Sequence, residues 1–326
     1  MARPGPGAQQ SPRAASESLV VSRARRVSTI PGRADSQQWS RQGQLDIRVF
    51  CIIGQAAGSP EQATAVLPRI RNYRVRHTED LFVDDIAYGE SVYGPLHDPM
   101  FVRASDPQPE QLAQWRRIAA EVAKTGLPLH VHANLTATIG AFLDQIELID
   151  KEIPIRNLRW TLAHVNQISA ADLARMKKLG MQAAVHPWAV INGGINRTVF
   201  GRAAQDMAPL RTLQASGVVW GLGSDGSRAN QILPFQTLSW AVTGRMVGGR
   251  VVLNEAQRLS RQEALIAHTR QNAYLVFQEK NLGSIEVGKL ADLVVLDRDY
   301  LTVPEAQIKD IVSVMTIVNG RVAYSR

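Results

Sequence analysis

The stretch L-P-L-H-V-H-A-N, residues 127–134, ends a short apolar run with two histidines. In a β-strand alternate side chains point to the same face, so His130 and His132 project together, which is a familiar way to hold a metal ion. Other ionisable residues also close apolar runs. They are His164 in L-R-W-T-L-A-H-V (158–165), His186 in M-Q-A-A-V-H-P-W (181–188) and Asp225 in V-V-W-G-L-G-S-D (218–225).

Helical segments separate these runs, and that alternation predicts parallel βα units. Residues 109–125 have apolar side chains at helical spacing. We predict the remaining helices over about 136–150, 169–179, 203–216 and 254–275, and two earlier strands over 45–53 and 84–91. The polar residues then fall at the C-terminal ends of strands, where a TIM-type barrel gathers its catalytic groups.

Charge and composition exclude several classes of function. The net charge of the 326-residue chain is +8, but residues 1–36 contribute six arginines and two acids, a surplus of four. No basic patch interleaved with aromatic residues follows, so we predict no nucleic-acid partner. No run approaches the roughly 18 apolar residues that span a bilayer, so we predict no membrane partner. Cys51 is the single cysteine, which excludes a disulfide framework and fits a cytoplasmic location.

The chain divides into three predicted parts. Residues 1–38 are a low-complexity, Arg- and Ser-rich segment that we expect to be disordered, and a transit peptide or a misassigned start would have the same composition. Residues 39–276 form the α/β part. Residues 277–326 form a small β element, in which Asn319-Gly320 predicts a type I′ hairpin turn.

Several motifs resemble the amidohydrolase superfamily, and more narrowly amidohydrolase family 3, which includes N-substituted formamide deformylases. The tail G-S-I-E-V-G-K-L-A-D-L-V-V-L-D (283–297) is the most specific of them, and T-x-x-N-A (269–273) precedes it. G-L-G-S-D-G-S (221–227), L-A-H-V (162–165) and H-A-N (132–134) resemble the family's motifs on barrel strands 8, 6 and 5.

The resemblance implies a TIM-barrel-like, metal-dependent hydrolase of carbon–nitrogen bonds in small N-acyl or formamide-type amides. By its motif Asp225 is the proton shuttle, and His132 and His164 are metal ligands. His186 and Trp188 would shape the substrate pocket, although a tryptophan beside a proline more often packs than recognises a ligand. The cofactor would be a divalent metal, with zinc favoured and Fe, Mn or Co compatible with the same ligands.

The sequence departs from the family pattern at its beginning. The family's first barrel strand carries His-x-His, whereas the only such pair here lies 32 residues before His164 and so belongs to strand 5. We therefore expect an incomplete barrel without strands 1 and 2, truncated at its N-terminus, with a small β-sandwich remnant at the C-terminus. Exposed sheet edges would then favour a homo-oligomer, and a non-catalytic relative without turnover is the alternative function.

A second departure lies on strand 4, where many members carry a carboxylated lysine. Ala87 is near that position, and Glu90 is a carboxylate close by. Glu90 is either a substitute metal ligand or an ordinary loop acid. His130, one layer deeper than His132, is more often a core or supporting residue than a ligand.

Overall fold

The computed structural model describes residues 18–20, 33–54, 56–73, 81–99, 104–226 and 230–326. The segment predicted to be disordered, residues 1–38, therefore lies largely outside the described residues. Its predicted boundary at residue 38 falls within a helix, Arg33–Arg41.

Ten strands and ten helices are described, numbered here in chain order. The strands are β1 Ser18–Val20, β2 Val49–Ile53, β3 Val83–Glu90, β4 Leu129–Ala133, β5 Thr161–His164, β6 Gln182–Val185, β7 Val219–Leu222, β8 Leu293–Leu296, β9 Ser313–Val318 and β10 Arg321–Ser325. The helices are α1 Arg33–Arg41, α2 Pro60–Asn72, α3 Pro109–Lys124, α4 Thr136–Glu152, α5 Ala170–Lys178, α6 Ala189–Phe200, α7 Leu210–Ser216, α8 Pro234–Thr243, α9 Arg261–His268 and α10 Arg270–Leu275. Short 3-10 turns lie at Gly94–Leu96, Gly201–Asp206, Glu255–Gln257 and Glu305–Asp310.

The main sheet contains β1 to β7 in chain order. Strands β2 to β7 pair in parallel, and β1 adds to β2 in the antiparallel direction. The six parallel strands with their helices form a curled half-barrel, which confirms the predicted incomplete TIM-like architecture. Within the described residues β7 pairs with no further strand, so the sheet does not close.

The strands have side chains buried on both faces. On the outer face, Val131, Leu162 and Ala183 join the core formed with the helices, where the rings of Trp115 and Phe142 stack at 4.6 Å. On β4 this leaves the two histidines pointing the other way, as strand alternation requires.

A smaller apolar cluster joins β2 and β3 to the C-terminal part of the chain. Phe50, Ile52 and Ile86 pack with Ala273 and Val276 at the end of α10. Since the barrel is open, this contact removes from water an apolar surface that two sheet strands would otherwise expose.

The helix predicted over 254–275 is wrong as a single element. The structure divides it into a 3-10 turn, α9 and α10, because Thr269 between the two helices has a non-helical backbone (φ −123°, ψ −80°). Ser260 starts α9 with a capping box to Glu263. The helix predicted over 203–216 is likewise shorter than expected, since a 3-10 turn precedes α7.

The C-terminal strands form a separate sheet of order β10-β9-β8, with antiparallel pairing throughout. Asn319 and Gly320 connect β9 to β10 with φ of +51° and +75°. Positive φ at both central residues is what a type I′ turn requires, so the predicted hairpin is confirmed.

Among the described residues, no helix combines the length and the apolar character that crossing a membrane requires.

A buried ion pair fastens this C-terminal sheet to the barrel. Arg48, just before β2, is fully buried. Its guanidinium donates two hydrogen bonds to the Asp292 carboxylate, at 2.6 and 2.7 Å. The guanidinium also lies 4.7 Å from the centre of the Phe82 ring. A planar fork of this kind suits arginine and not lysine.

Replacing Arg48 with alanine should therefore lower the free energy of unfolding by about 3 kcal/mol, because the carboxylate of Asp292 loses its counter-ion in a largely dry position. The change is measured from urea unfolding curves. The control is Arg298→Ala, which breaks an exposed pair with Asp297 and should cost less than about 1 kcal/mol. Equal losses in the two variants would contradict the structural role given to Arg48.

Candidate metal and catalytic site

Three neighbouring parallel strands end side by side at one edge of the sheet. In the register of the sheet, Glu90 on β3 lies opposite Val131 on β4, and Ala133 on β4 lies opposite His164 on β5. Because the strands are parallel and aligned, the C-terminal residues of all three meet on the same edge. The ends of β6 and β7 continue this edge.

One carboxylate oxygen of Glu90 faces two imidazoles. Glu90 Oε1 is 2.8 Å from His164 Nε2 and 3.2 Å from His132 Nδ1. One possible ligand atom from each of the three residues lies within 4.8 Å of the others. Both histidines are buried and Glu90 is half-buried, so the group is largely withdrawn from water.

Gly89 makes the approach of Glu90 possible. Its φ is +151°, and a Cβ at this position would overlap the carbonyl oxygen of His130 on the adjacent strand. A side chain at position 89 would therefore push β3 away from β4 at the residue before the carboxylate. Here glycine is required by both conformation and space.

Two candidate site residues have left-handed backbone conformations. The φ of His164 is +71° and that of Asp225 is +51°. Such conformations are uncommon outside glycine and are concentrated at functional sites. At His164, the last residue of β5, this conformation departs from the extended backbone and from its strict alternation of side chains.

The other residues singled out from the sequence lie around the same group. The His186 ring centre is 5.1 Å from that of His164, and the Trp188 ring centre is 5.8 Å from it. Asp225, three residues beyond β7, is close enough to interact electrostatically with His164 and Glu90. The structure thus brings together all six predicted residues: Glu90, His132, His164, His186, Trp188 and Asp225.

Two residues of the site were missed by the sequence reasoning. The His97 ring stacks on that of His132, with centres 3.8 Å apart. The next residue, Asp98, is buried, and its carboxylate Oδ1 lies 2.9 Å from His132 Nε2. They follow a 3-10 turn, so no strand periodicity marks them. The only signal available was the adjacency of two ionisable residues in H-D-P (97–99).

Electrostatics separate the histidines into two kinds. Burial lowers the pKa of His130 to about 4 and that of His186 to about 3, so both are neutral at pH 7. Burial also acts to lower the pKa of His132, but its hydrogen bonds to Asp98 and Glu90 outweigh this and raise the pKa to about 10. His132 therefore lies between two anionic groups, Asp98 and Glu90.

The two carboxylates at the edge of the site also differ. Burial raises the pKa of Asp225, although nearby His164 opposes the shift. For Asp98 burial acts in the same direction, but the hydrogen bond from His132 and the backbone N–H groups of Leu135 and Asn134 together lower its pKa. The pKa of Asp98 is thus lowered by its hydrogen bonds, whereas the pKa of Asp225 is raised by burial.

The donor set fits a divalent metal ion. Two imidazole nitrogens and one carboxylate oxygen converge from three strands, and two histidines with one acid are a common ligand set for catalytic zinc. These three residues would hold the ion.

A family model described as "Amidohydrolase family" matches residues 36–324. The chain belongs to the amidohydrolase family. The match takes in the described barrel from α1 onward and the C-terminal sheet, and so confirms the relationship that the motifs indicated.

Similar curated proteins carry the names of different enzymes. An N-substituted formamide deformylase of Arthrobacter pascens is 24% identical over 212 residues, covering 64% of this chain and 39% of the relative. A 5-methylthioadenosine/S-adenosylhomocysteine deaminase of Moorella thermoacetica is 25% identical over 235 residues, covering 64% and 49%. The chain thus matches about two fifths to one half of the length of these relatives.

Solved structures show the same fold. A metal-dependent hydrolase of Pyrococcus furiosus superposes with a TM-score of 0.60 at 21% identity, over 82% of this chain and 54% of that one. An adenosine deaminase of Xanthomonas campestris with bound zinc gives a TM-score of 0.57 at 19% identity, over 88% and 62%.

Replacing Gly89 with alanine should lower the free energy of unfolding by about 2–3 kcal/mol, since the new methyl group meets a backbone oxygen and the φ is unfavourable. The matched control is Gly140→Ala inside α4, where a Cβ meets nothing within 4 Å and alanine should stabilise the helix by about 0.5–1 kcal/mol. Thermal unfolding checks both, and opposite shifts in Tm are expected. A Gly89→Ala protein as stable as the wild type would refute this account of the site.

Proposed function

We propose that this protein is a metal-dependent hydrolase of non-peptide carbon–nitrogen bonds, acting on small N-acyl or formamide-type amides. One observation carries the proposal, namely the single Glu90 oxygen that faces both His132 and His164 at the aligned ends of three parallel strands. Glu90 takes the role of a metal ligand in this proposal, instead of being an ordinary loop acid. Zinc is the favoured ion, and Fe, Mn or Co suit the same donors.

A bound divalent ion would polarise the amide carbonyl and make a water molecule more acidic. Asp225 acts as the general base for the attacking water and as the general acid for the leaving nitrogen. Its place beyond β7, beside His164, and its raised pKa support this shuttle. The neutral His186 and the indole of Trp188 line the substrate side of the site.

Metal binding is tested by measuring zinc content after dialysis and by titration. The wild-type protein should retain about one equivalent, and Glu90→Gln or His164→Ala should lose most of it, because each removes one of three donors. Glu110→Gln, an exposed position on α3, is the matched control and should bind like the wild type. If the Glu90→Gln variant kept the zinc content of the wild type, Glu90 would be an ordinary acid and not a metal ligand.

The chemistry is tested separately with Asp225→Asn. This variant should bind zinc normally, yet lose about 10²–10⁴ in kcat on any N-formyl or N-acyl amine that the wild type hydrolyses, since a proton shuttle contributes about that factor. Asp297→Asn on the C-terminal sheet is the control. Full activity in the Asp225 variant would contradict its assignment.

The alternative is a non-catalytic amidohydrolase, which is favoured by the sheet that stays open within the described residues. A panel of N-formyl and N-acyl amines decides between the two. Stoichiometric metal with turnover supports the enzyme, whereas a cooperatively folded protein without turnover supports the non-catalytic reading.

We further propose a cytoplasmic location and self-association. Cys51 is the single cysteine of the chain, so no internal disulfide can form, which suits a reducing compartment. Among the described residues no strand pairs with the outer side of β7, and a strand of another copy would pair there, beside the Leu222 carbonyl that His268 and Asn272 contact. Sedimentation velocity of the purified chain checks the second statement.

A further inference from the structure

A buried carboxylate lies on the side of His132 that faces away from Glu90. His132 Nε2 is 2.8 Å from the backbone carbonyl oxygen of Asp98 and 2.9 Å from its carboxylate Oδ1. The side chain of Asp98 is fully buried. The other ring nitrogen, Nδ1, is the one that faces Glu90.

Hydrogen bonds to neighbouring segments hold the loop that carries Asp98 in place. The carboxylate accepts hydrogen bonds from the backbone N–H groups of Asn134 and Leu135, at 3.0 and 2.8 Å to Oδ2. Just upstream, the Gly94 N–H donates to the carbonyl of Ala57, which ties the loop after β3 to the loop after β2. The position of the carboxylate is therefore set from two directions.

These contacts control how the His132 ring lies. The two Asp98 oxygens and the side-chain amide nitrogen of Asn134 all lie within 2.9 Å of Nε2, and the stacked ring of His97 covers one face of the imidazole. A ring flip would move Nε2 away from two acceptor oxygens and leave a buried carboxylate without its partner, which is costly. The ring is thus held with Nδ1 toward Glu90 and His164.

We propose that Asp98 is the positioning residue of this site, which orients His132 through Nε2 so that Nδ1 is presented to the metal ligands Glu90 and His164. The expected effect on metal affinity rests on the proposed metal site. A carboxylate that fixes the orientation of a ligating histidine typically contributes 10–100-fold to metal affinity. The orientation itself does not require the metal.

A purely structural role makes a different prediction. Asp98 also accepts hydrogen bonds from the backbone N–H groups of Asn134 and Leu135, just before α4. These hydrogen bonds need only an acceptor oxygen. The variant Asp98→Asn keeps one acceptor oxygen for the backbone N–H groups but lacks the charge and the second oxygen. Asp106→Asn, an exposed acid that accepts a hydrogen bond from Gln108, is the matched control.

Three measurements are made on wild-type protein and both variants, namely zinc affinity, the His132 N–H signal and the unfolding temperature. Zinc affinity is measured by competition with a chromophoric chelator. The His132 imidazole N–H is observed by NMR on metal-free, ¹⁵N-histidine-labelled protein, and is assigned by its absence in His132→Gln. The wild type should show a slowly exchanging, downfield Nε2–H signal, because the proton is hydrogen-bonded to a buried carboxylate.

Asp98→Asn should lose this signal or shift it strongly, weaken zinc binding 10–100-fold, and unfold close to the wild-type temperature. Asp106→Asn should match the wild type in all three.

Wild-type zinc affinity and an unchanged signal in Asp98→Asn would overturn the inference while leaving the proposed function intact. A wild type that shows the protected signal but binds no zinc would overturn the proposed function and uphold the positioning role. If Asp98→Asn does not fold, the wild-type spectrum still decides, because a rapidly exchanging Nε2–H refutes the hydrogen bond.

Discussion

The site depends on the aligned register of β3, β4 and β5. Parallel pairing places the carboxyl ends of the three strands on one edge, and the register sets Glu90, His132 and His164 at successive levels, one residue apart. A slip of one residue on β4 would turn both of its histidines into the helix-facing core. Because of this alignment, both imidazoles face the same oxygen of Glu90. Gly89 permits it, since a Cβ at that position would overlap the carbonyl oxygen of His130.

Burial gives these polar groups their properties. Because strands in such a sheet are covered on both faces, a charge at their ends keeps its ionic form only if it is paired or hydrogen-bonded. His132 has such partners in Asp98 and Glu90, whereas burial lowers the pKa of His130 and His186 so that both are neutral at pH 7. Histidines on the same strand ends thus differ in their surroundings, since His132 lies between two carboxylates whereas His130 and His186 are buried and neutral.

The C-terminal part of the chain is integral to the half-barrel. The end of α10 covers the apolar face of β2 and β3, and Arg48 joins the barrel to the small sheet through Asp292. An open sheet needs such a covering, since its exposed apolar face would cost free energy in water.

The sequence by itself determined the alternation of the parallel strands with α3, α4, α5 and α7, the hairpin at Asn319-Gly320 and, through its motifs, the six residues that gather at the strand ends, but not α1, α2, α6 or α8. These features follow from short-range rules, namely apolar periodicity, turn chemistry and the place of a polar residue after a strand. Only the tertiary structure decided that Glu90 faces both imidazoles, that His97 and Asp98 enclose His132, and that residues 254–275 break at Thr269. Such facts depend on strand register, on loops without periodicity and on packing between segments far apart in the chain, and none of these leaves a local pattern in the sequence.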